Sequence, residues 1–390
     1  MKYSNRIKRL NESLTIAISS LARDLKAQGK DILSFSAGEP DFDTPKGIKD
    51  EAIRSINSGF TKYTQVSGIN ELKSAICEKL QRENALTYEP SEIIVSNGAK
   101  GALFNVYAAL VDKGDEVIIP APYWVTYPEL TSYFGGKNVI IETNEENDFK
   151  ITQKQLESAI TKKTKLLVLT SPSNPTGMIY SKDELEAIYS VIKGTDIAII
   201  SDEIYEKLVY DNLKYTSIGA LNNDLLQRTI TINGLSKSFA MTGWRVGYAA
   251  SKDKELIKLM NNLQSQSTAN INSIAQRASI PALKGECDME AENFIQAFQN
   301  RRNLAHKMIN EIKSLEVRLP QGAFFLFINI KAVNGGDSMR FCKDLLEKQG
   351  VALVPGVAFG MEGYARFSFA CSEEQIIDGI KRIERYVLGL

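Results

Sequence analysis

The sequence predicts an α/β protein: a large domain with a mostly parallel, helix-covered sheet, joined to a smaller α+β domain. Three observations carry that expectation. Seven short β-branched runs recur from about residue 90, with helical patterns between several of them. The runs are apolar throughout, without alternation, and the texture of the chain changes after about residue 285. Continuously apolar strands mark a parallel sheet covered on both faces.

The runs are "EIIVS", "DEVIIP", "NVIIET", "KLLVLT", "DIAIIS", "RTITIN" and "RVGYAA", with helical stretches such as "GALFNVYAALVD" and "KDELEAIYSVIK" among them. Ligand sites in such a sheet are expected at the carboxyl ends of its strands. Past residue 285 a long charged helical stretch leads to "GAFFLFINI", a helix near "SMRFCKDLLEKQG", then "VALVPG", "YARFSFA" and a closing helix. This reads as the smaller domain, completed by the N-terminal segment. The expected division is 1–45 (N-terminal arm and part of the small domain), 46–285 (large domain) and 286–390 (small C-terminal domain).

Composition narrows the function. The 390 residues, 43% hydrophobic, suffice for two domains with cores. Lys plus Arg equals Asp plus Glu at 47 each, so no net field points to nucleic acid or a membrane. The N-terminus "MKYSNRIKRLNESLTIAISS" is basic but lacks the apolar core of a signal peptide. Cys77, Cys287, Cys342 and Cys371 are scattered without CxxC spacing, which fits packing residues in a reducing cytoplasm. There is one histidine, His306, in a charged helical stretch. Multi-histidine metal sites are therefore impossible, and proton transfer falls to lysine, carboxylate or tyrosine.

Neither G-x-G-x-x-G after a strand nor G-x-x-x-x-G-K-[ST] occurs, so those fingerprints support no dinucleotide or nucleoside triphosphate. Other stretches carry chemistry. In "SEIIVSNGAKGALFNVY" a strand ends, glycines flank Ala99 and Lys100, and a helix begins. Free N–H groups at a helix start bind anions, although an ordinary βα turn fits the same residues. In "LVLTSPSNPTG", Pro172 and Pro175 would hold Asn174 on a rigid mount; a solvated turn is the plainer reading. "DIAIISDEIYEKLVY" puts Asp202 and Glu203 at a strand end, with Tyr205 shortly after. A carboxylate there can hold a cation or simply face solvent.

"TITINGLSKSFAMTGWRVGY" places Lys237 after a strand and Arg245 at the start of the next. Nearby cations and desolvation would lower the lysine pKa and leave the neutral amine needed to form an imine. Ser236 and Arg245 could share a phosphate. In "YARFSFA", Arg366 shares a strand face with small residues Ser368 and Ala370, an arrangement suited to a carboxylate. Taken in order, these groups suit an aldehyde-phosphate cofactor bound to a lysine.

The chain resembles the class I, fold-type I aminotransferases that use pyridoxal phosphate. Within them it is similar to the bacterial aspartate aminotransferase subgroup that also contains prephenate aminotransferases. The likeness runs from "SLTIAIS" and "FSAGEPDFDTP" through "TKYTQVSGI", "SNGAKGALFN", "PYWVTYPE", "SPSNPTG", "SDEIYE" and "SKSFAMTGWRVGY" to "YARFSFA". The resemblance implies that Lys237 binds the cofactor aldehyde and shuttles the substrate's α-proton. It implies that Asp202 pairs with the pyridine nitrogen, Tyr205 and Asn174 bond the ring oxygen, and Trp124 stacks on the ring. Ser236, Arg245 and the backbone of Ala99 and Lys100 would hold the phosphate. Tyr63 would reach the phosphate of a neighbouring subunit, making a homodimer with shared sites.

For substrate, the resemblance implies Arg366, Asn174 and the backbone at Gly38 on the α-carboxylate. Relatives with a partner-subunit arginine for the side-chain carboxylate have no counterpart in "LQSQSTANINS"; Lys100 with Thr15 takes that part instead. The expected reaction moves the amino group of aspartate to 2-oxoglutarate by ping-pong kinetics. Its rivals are prephenate, aromatic or alanine-like substrates on the same fold, then a fold-type I C–S lyase or acyltransferase. A pyridoxal-phosphate-binding regulatory module is the rival outside enzymology.

Overall fold

The computed structural model describes residues 1–389. Its twelve strands are β1 (Leu33–Ser34), β2 (Ile93–Asn97), β3 (Glu116–Ala121), β4 (Lys137–Glu142), β5 (Thr164–Thr170), β6 (Ala198–Asp202), β7 (Thr229–Gly234), β8 (Val246–Ala250), β9 (Phe325–Asn329), β10 (Val351–Ala352), β11 (Val354–Pro355) and β12 (Tyr364–Ser368). Strands β2 to β8 are the seven predicted runs, and they form one sheet in the order β2-β8-β7-β6-β5-β3-β4. Four of its pairings, β3 with β4 and β5, β5 with β6, and β6 with β7, are parallel. Only β8 runs antiparallel to its neighbours, β2 and β7. The mostly parallel sheet is therefore as expected.

Burial explains the unbroken apolar runs. Leu166, Leu167, Val168 and Leu169 of β5 are all buried, because successive side chains point to opposite, equally covered faces. The first helix, α1 (Leu14–Ala27), packs on β1, β10 and β11; the helices that next follow on the large sheet's side are α2 (Lys46–Asn57), α3 (Asn70–Asn84), α4 (Gly98–Leu110) and α5 (Thr126–Phe134). Local chemistry sets several helix boundaries. Capping boxes Thr152/Gln155, Ser181/Glu184 and Ser372/Gln375 open three later helices by satisfying their first free N–H groups. Gly135 and Gly350 close others in the left-handed conformation that glycine adopts without a Cβ penalty.

The smaller unit carries the three-stranded antiparallel sheet β11-β12-β9. The N-terminal segment does complete it: β1 pairs in parallel with β10, joining Leu33 to Val351. Phe35 packs in the same core as Phe324, Phe325, Phe367 and Ile380. From there the chain crosses to the large sheet through residues 36–45. That crossing passes over the ends of β6 and β7, and there the cleft lies.

All four cysteines are free; Cys287 and Cys342 are buried and the other two half-buried. His306 is half-buried on the helix Asp288–Asn310, beside Asn310 and outside the cleft. Among the described residues no cluster could hold a metal ion, and no helix is long and apolar enough to cross a membrane.

Candidate active site

A cleft of ≈440 Å³ opens at the carboxyl ends of β5, β6 and β7. It gathers Thr15, Gly38, Ala99, Lys100, Trp124, Asn174, Asp202, Tyr205, Ser236, Lys237, Arg245 and Arg366. Twelve of the thirteen sequence-predicted site residues thus meet in one place. Tyr63 does not: it is 92% exposed on this chain and lines no part of the cleft.

Parallel register does much of the placing. Thr170 at the end of β5 stands beside Asp202 at the end of β6, and Asp202 beside Ile232 of β7. Beyond Gly234 the chain turns and presents Lys237 to the same opening. The Lys237 ammonium donates to the carbonyl oxygen of Gly38 and lies 6.0 Å from the centre of the Tyr205 ring. Burial lowers its pKa to about 8, with Arg366 and Arg245 adding to the effect while Glu39 and Asp202 oppose it. Desolvation outweighs the expected cationic neighbours. A substantial neutral fraction is therefore present near pH 8, as a nucleophilic amine requires.

Asp202 is buried, and the Tyr127 hydroxyl donates to its Oδ2 at 2.6 Å. The Ile204 N–H donates to Oδ1 at 3.3 Å. Burial still raises its pKa to about 6, so the carboxylate lacks sufficient compensation and favours a cation opposite it. Glu203, equally strand-terminal in sequence, points away from the cleft and hydrogen-bonds Ser201 and Ser217.

Arg366 is 2% exposed. It donates to Asn174 Oδ1 at 2.9 Å and to the Ser36 carbonyl at 2.8 Å, and its Nε has no partner. The expectation of small surrounding residues is only part of the picture. The guanidinium sits 4.3 Å from the Phe325 ring centre and 5.0 Å from that of Phe359, so aromatic faces hold it. A buried cation with a free donor demands an anion.

The anion end is equally well built. Helix α4 starts at Gly98 without a side-chain cap; the Gly98 N–H donates to the Arg245 carbonyl at 3.0 Å, and those of Ala99 and Lys100 are left open. Arg245 donates to the Thr242 and Asn97 carbonyls, which aims its guanidinium at that helix start. Gly98 has φ +76°, and a Cβ there would run into the Arg245 guanidinium. At the mouth, Lys100 lies 4.8 Å over the Trp124 ring; desolvation and Arg245 lower its pKa.

Sequence reasoning missed Tyr127, Thr170, Ser19, Glu39 and Thr242, which also line the cleft. Tyr127 could have been found: it follows Trp124 by three residues in one turn, where its N–H donates to the Trp124 carbonyl at 3.1 Å and the rings meet edge-on at 5.6 Å. Glu39 and Thr242 offered no such signal. They meet at 2.7 Å only because the crossing segment lies against the Lys237 loop.

A desolvated lysine, a carboxylate seeking a cation and an uncapped helix start make this a protein that holds an anionic aldehyde. The donor set fits pyridoxal phosphate. The chain belongs to the class I and II aminotransferases, whose family model matches residues 30–383. It is 48% identical to the aspartate aminotransferase of Bacillus subtilis (strain 168) over 99% of each chain. With the aspartate/prephenate aminotransferase of Cereibacter sphaeroides it shares 45% identity, again over 99% of each. The aspartate aminotransferase of Thermus thermophilus, solved with maleate, superposes with a TM-score of 0.95 at 41% identity over 99% of both chains. The family is pyridoxal-phosphate-dependent, so this chain is an aminotransferase of that kind.

Proposed function

We propose that the protein transfers the amino group of L-aspartate to 2-oxoglutarate, giving oxaloacetate and L-glutamate. The carrying observation is the placement of Lys237 between Asp202 and the partly unpartnered Arg366 in one cleft. When bound, pyridoxal phosphate supplies an aldehyde and an electron-accepting ring. Asp202 would hold a proton on the ring nitrogen, while Tyr205 and Asn174 would bond the ring oxygen. Ser236, Arg245 and the N–H groups at Ala99 and Lys100 would hold the phosphate, and Trp124 would cover the ring. Lys237 would hold the aldehyde and would carry the substrate's α-proton. Arg366, Asn174 and the backbone at Gly38 orient the α-carboxylate.

Aspartate is favoured because Lys100 and Thr15 line the mouth of the cleft, offering a cation and a hydroxyl to a second carboxylate. Relatives named for aspartate agree. The exposed Tyr63, the half-buried Trp244 and the exposed Arg245 support a homodimer in which Tyr63 reaches the partner's phosphate site. The core that gathers Phe298, Phe324, Phe367 and Ile380 with Phe35, and the crossing before Lys46, support the division 1–45, 46–285 and 286–390. The balanced charge and unpaired cysteines fit a cytoplasmic enzyme.

Single-turnover reaction of the loaded protein with a panel of amino donors, followed by cofactor absorbance, tests the reading. Aspartate and glutamate are expected to react fastest. Preference for prephenate's amino product or for aromatic donors would overturn aspartate as substrate. Release of pyruvate and ammonia would indicate a lyase.

A further inference from the structure

Behind the cleft lies a buried polar cluster that the reaction does not touch. Lys79 and Asn84 of α3 meet Glu203 and Glu206, Ser217 and Asn233 of β7, and all six are buried. Glu206 Oε1 accepts from Asn233 Nδ2 at 2.9 Å and from Lys79; Oε2 accepts from Asn84. Asn233 Oδ1 in turn accepts the Gly234 N–H at 2.7 Å. None of these residues lines the cleft.

The arrangement has a direction. Glu206 directly follows Tyr205, whose ring faces the cleft, and lies four residues beyond Asp202. Asn233 lies four residues before Lys237 on the neighbouring strand. The Glu206–Asn233 bond therefore crosslinks the turn carrying Tyr205 to the strand leading to the amine. Glu206 needs charge balance to occupy this position, and Lys79 supplies it. Burial and then Glu206 raise the Glu203 pKa to about 7, so its charge is partial near neutrality, and Ser201, Ser217 and Asn84 donate to its oxygens. A fully bonded buried network of this kind fixes a single geometry.

We propose that Glu206 is a positioning residue: through Asn233 it fixes the turn bearing Tyr205 against the strand bearing Lys237, and so sets the amine's placement for proton transfer. This rests on Lys237 and Tyr205 having the roles proposed above. A misplacement near 1 Å costs about a hundredfold in rate, so a modest loosening is expected to be visible.

The test uses the loaded full-length enzyme and the variants Asn233→Leu, Asn233→Ser and Glu206→Gln. The Asn233 variants leave Lys79, Asn84 and Glu206 bonded to one another. They are expected to lower kcat by about ten- to a hundredfold with little change in KM. They should also move the pH midpoint of the Lys237-bound chromophore by about half a unit or more. That amine is faced by Glu39, Asp202, Arg245, Arg366 and the Tyr205 ring, none of which is altered. Glu206→Gln, which keeps an acceptor for Asn233, should retain more activity than Asn233→Leu.

A lower melting temperature with unchanged kcat per folded site and an unchanged midpoint would overturn the proposal and leave a merely structural cluster. Should Glu206→Gln not fold, Asn233→Ser alone decides between these outcomes. Borohydride fixation of the cofactor on Lys237 in the parent checks the underlying roles separately. If that label is absent, the site reading fails, and not only Glu206.

Discussion

Arg366 and Asn174, 192 residues apart in sequence, meet at 2.9 Å inside the cleft. The contact joins the end of the large sheet to β12 of the small one, and it leaves Arg366 Nε free. A carboxylate arriving here meets a planar donor already held by Asn174, Ser36 and two phenyl faces. Arg366→Lys keeps the charge and loses the planar fork. We expect kcat/KM for aspartate to fall by about 2–5 kcal/mol, tens- to thousands-fold, while the bound cofactor's absorbance stays normal. Unchanged steady-state kinetics would refute this role.

Lys237→Ala removes both the cofactor attachment and the proton carrier. Transamination should drop by at least about a thousandfold. In the parent, borohydride reduction followed by peptide mapping should leave the cofactor on residue 237. Label on any other lysine would contradict the assignment.

Asp202 gives a pH prediction for the cofactor-free protein. Its folded pKa of about 6 exceeds the ordinary 3.8, so between these values the folded state binds more protons than the unfolded. Its contribution to stability therefore declines as pH rises through that window and is fully unfavourable above it. Asp202→Asn should make the cofactor-free protein more stable at pH 8, by at most about 3 kcal/mol, with the difference vanishing near pH 4. Activity should fall sharply. Denaturant melts of both proteins across pH check the sign.

Gly98→Ala sets a side chain where φ is +76° and the Arg245 guanidinium already lies. We expect cofactor affinity to fall at least tenfold, read by equilibrium dialysis, because the helix start and the arginine can no longer converge on one phosphate. Wild-type affinity would show that neither is needed there.

Arg302 is 1% exposed and makes a two-pronged pair with Asp211 at 2.7 and 2.8 Å, far from the chemistry. Asp211→Ala leaves that buried cation its Pro320 and Asn303 acceptors but no carboxylate, and should cost about 1–3 kcal/mol, less than a fully buried pair because Asp211 is itself half-exposed. Melting temperature should fall while kcat per folded site holds. A lower kcat would mean the pair reaches the active site after all.

The seven strands of the large sheet were legible because their apolar runs state full burial directly. Lys237, Asp202 and Asn174 were legible because each ends or closely follows a run of that kind, where an α/β sheet exposes its functional side chains. Periodicity alone left open which of Asp202 and Glu203 faces the cleft; only the resemblance named Asp202. Alternation puts neighbours on opposite sides, yet it does not say which side holds the cofactor.

By itself the sequence determined the sheet, the strand-end lysine and the family chemistry, since these rest on local periodicity and on short contiguous motifs. Only the tertiary structure decided that Gly38 receives the Lys237 amine, that Tyr127 holds Asp202, and that phenyl rings hold Arg366. Those contacts join residues 75 or more positions apart in two cases, and in the third the Phe325 ring reaches Arg366 across the paired strands β9 and β12. No local pattern encodes such distances; they are fixed when the two cores pack and burial forces each polar group to find a partner.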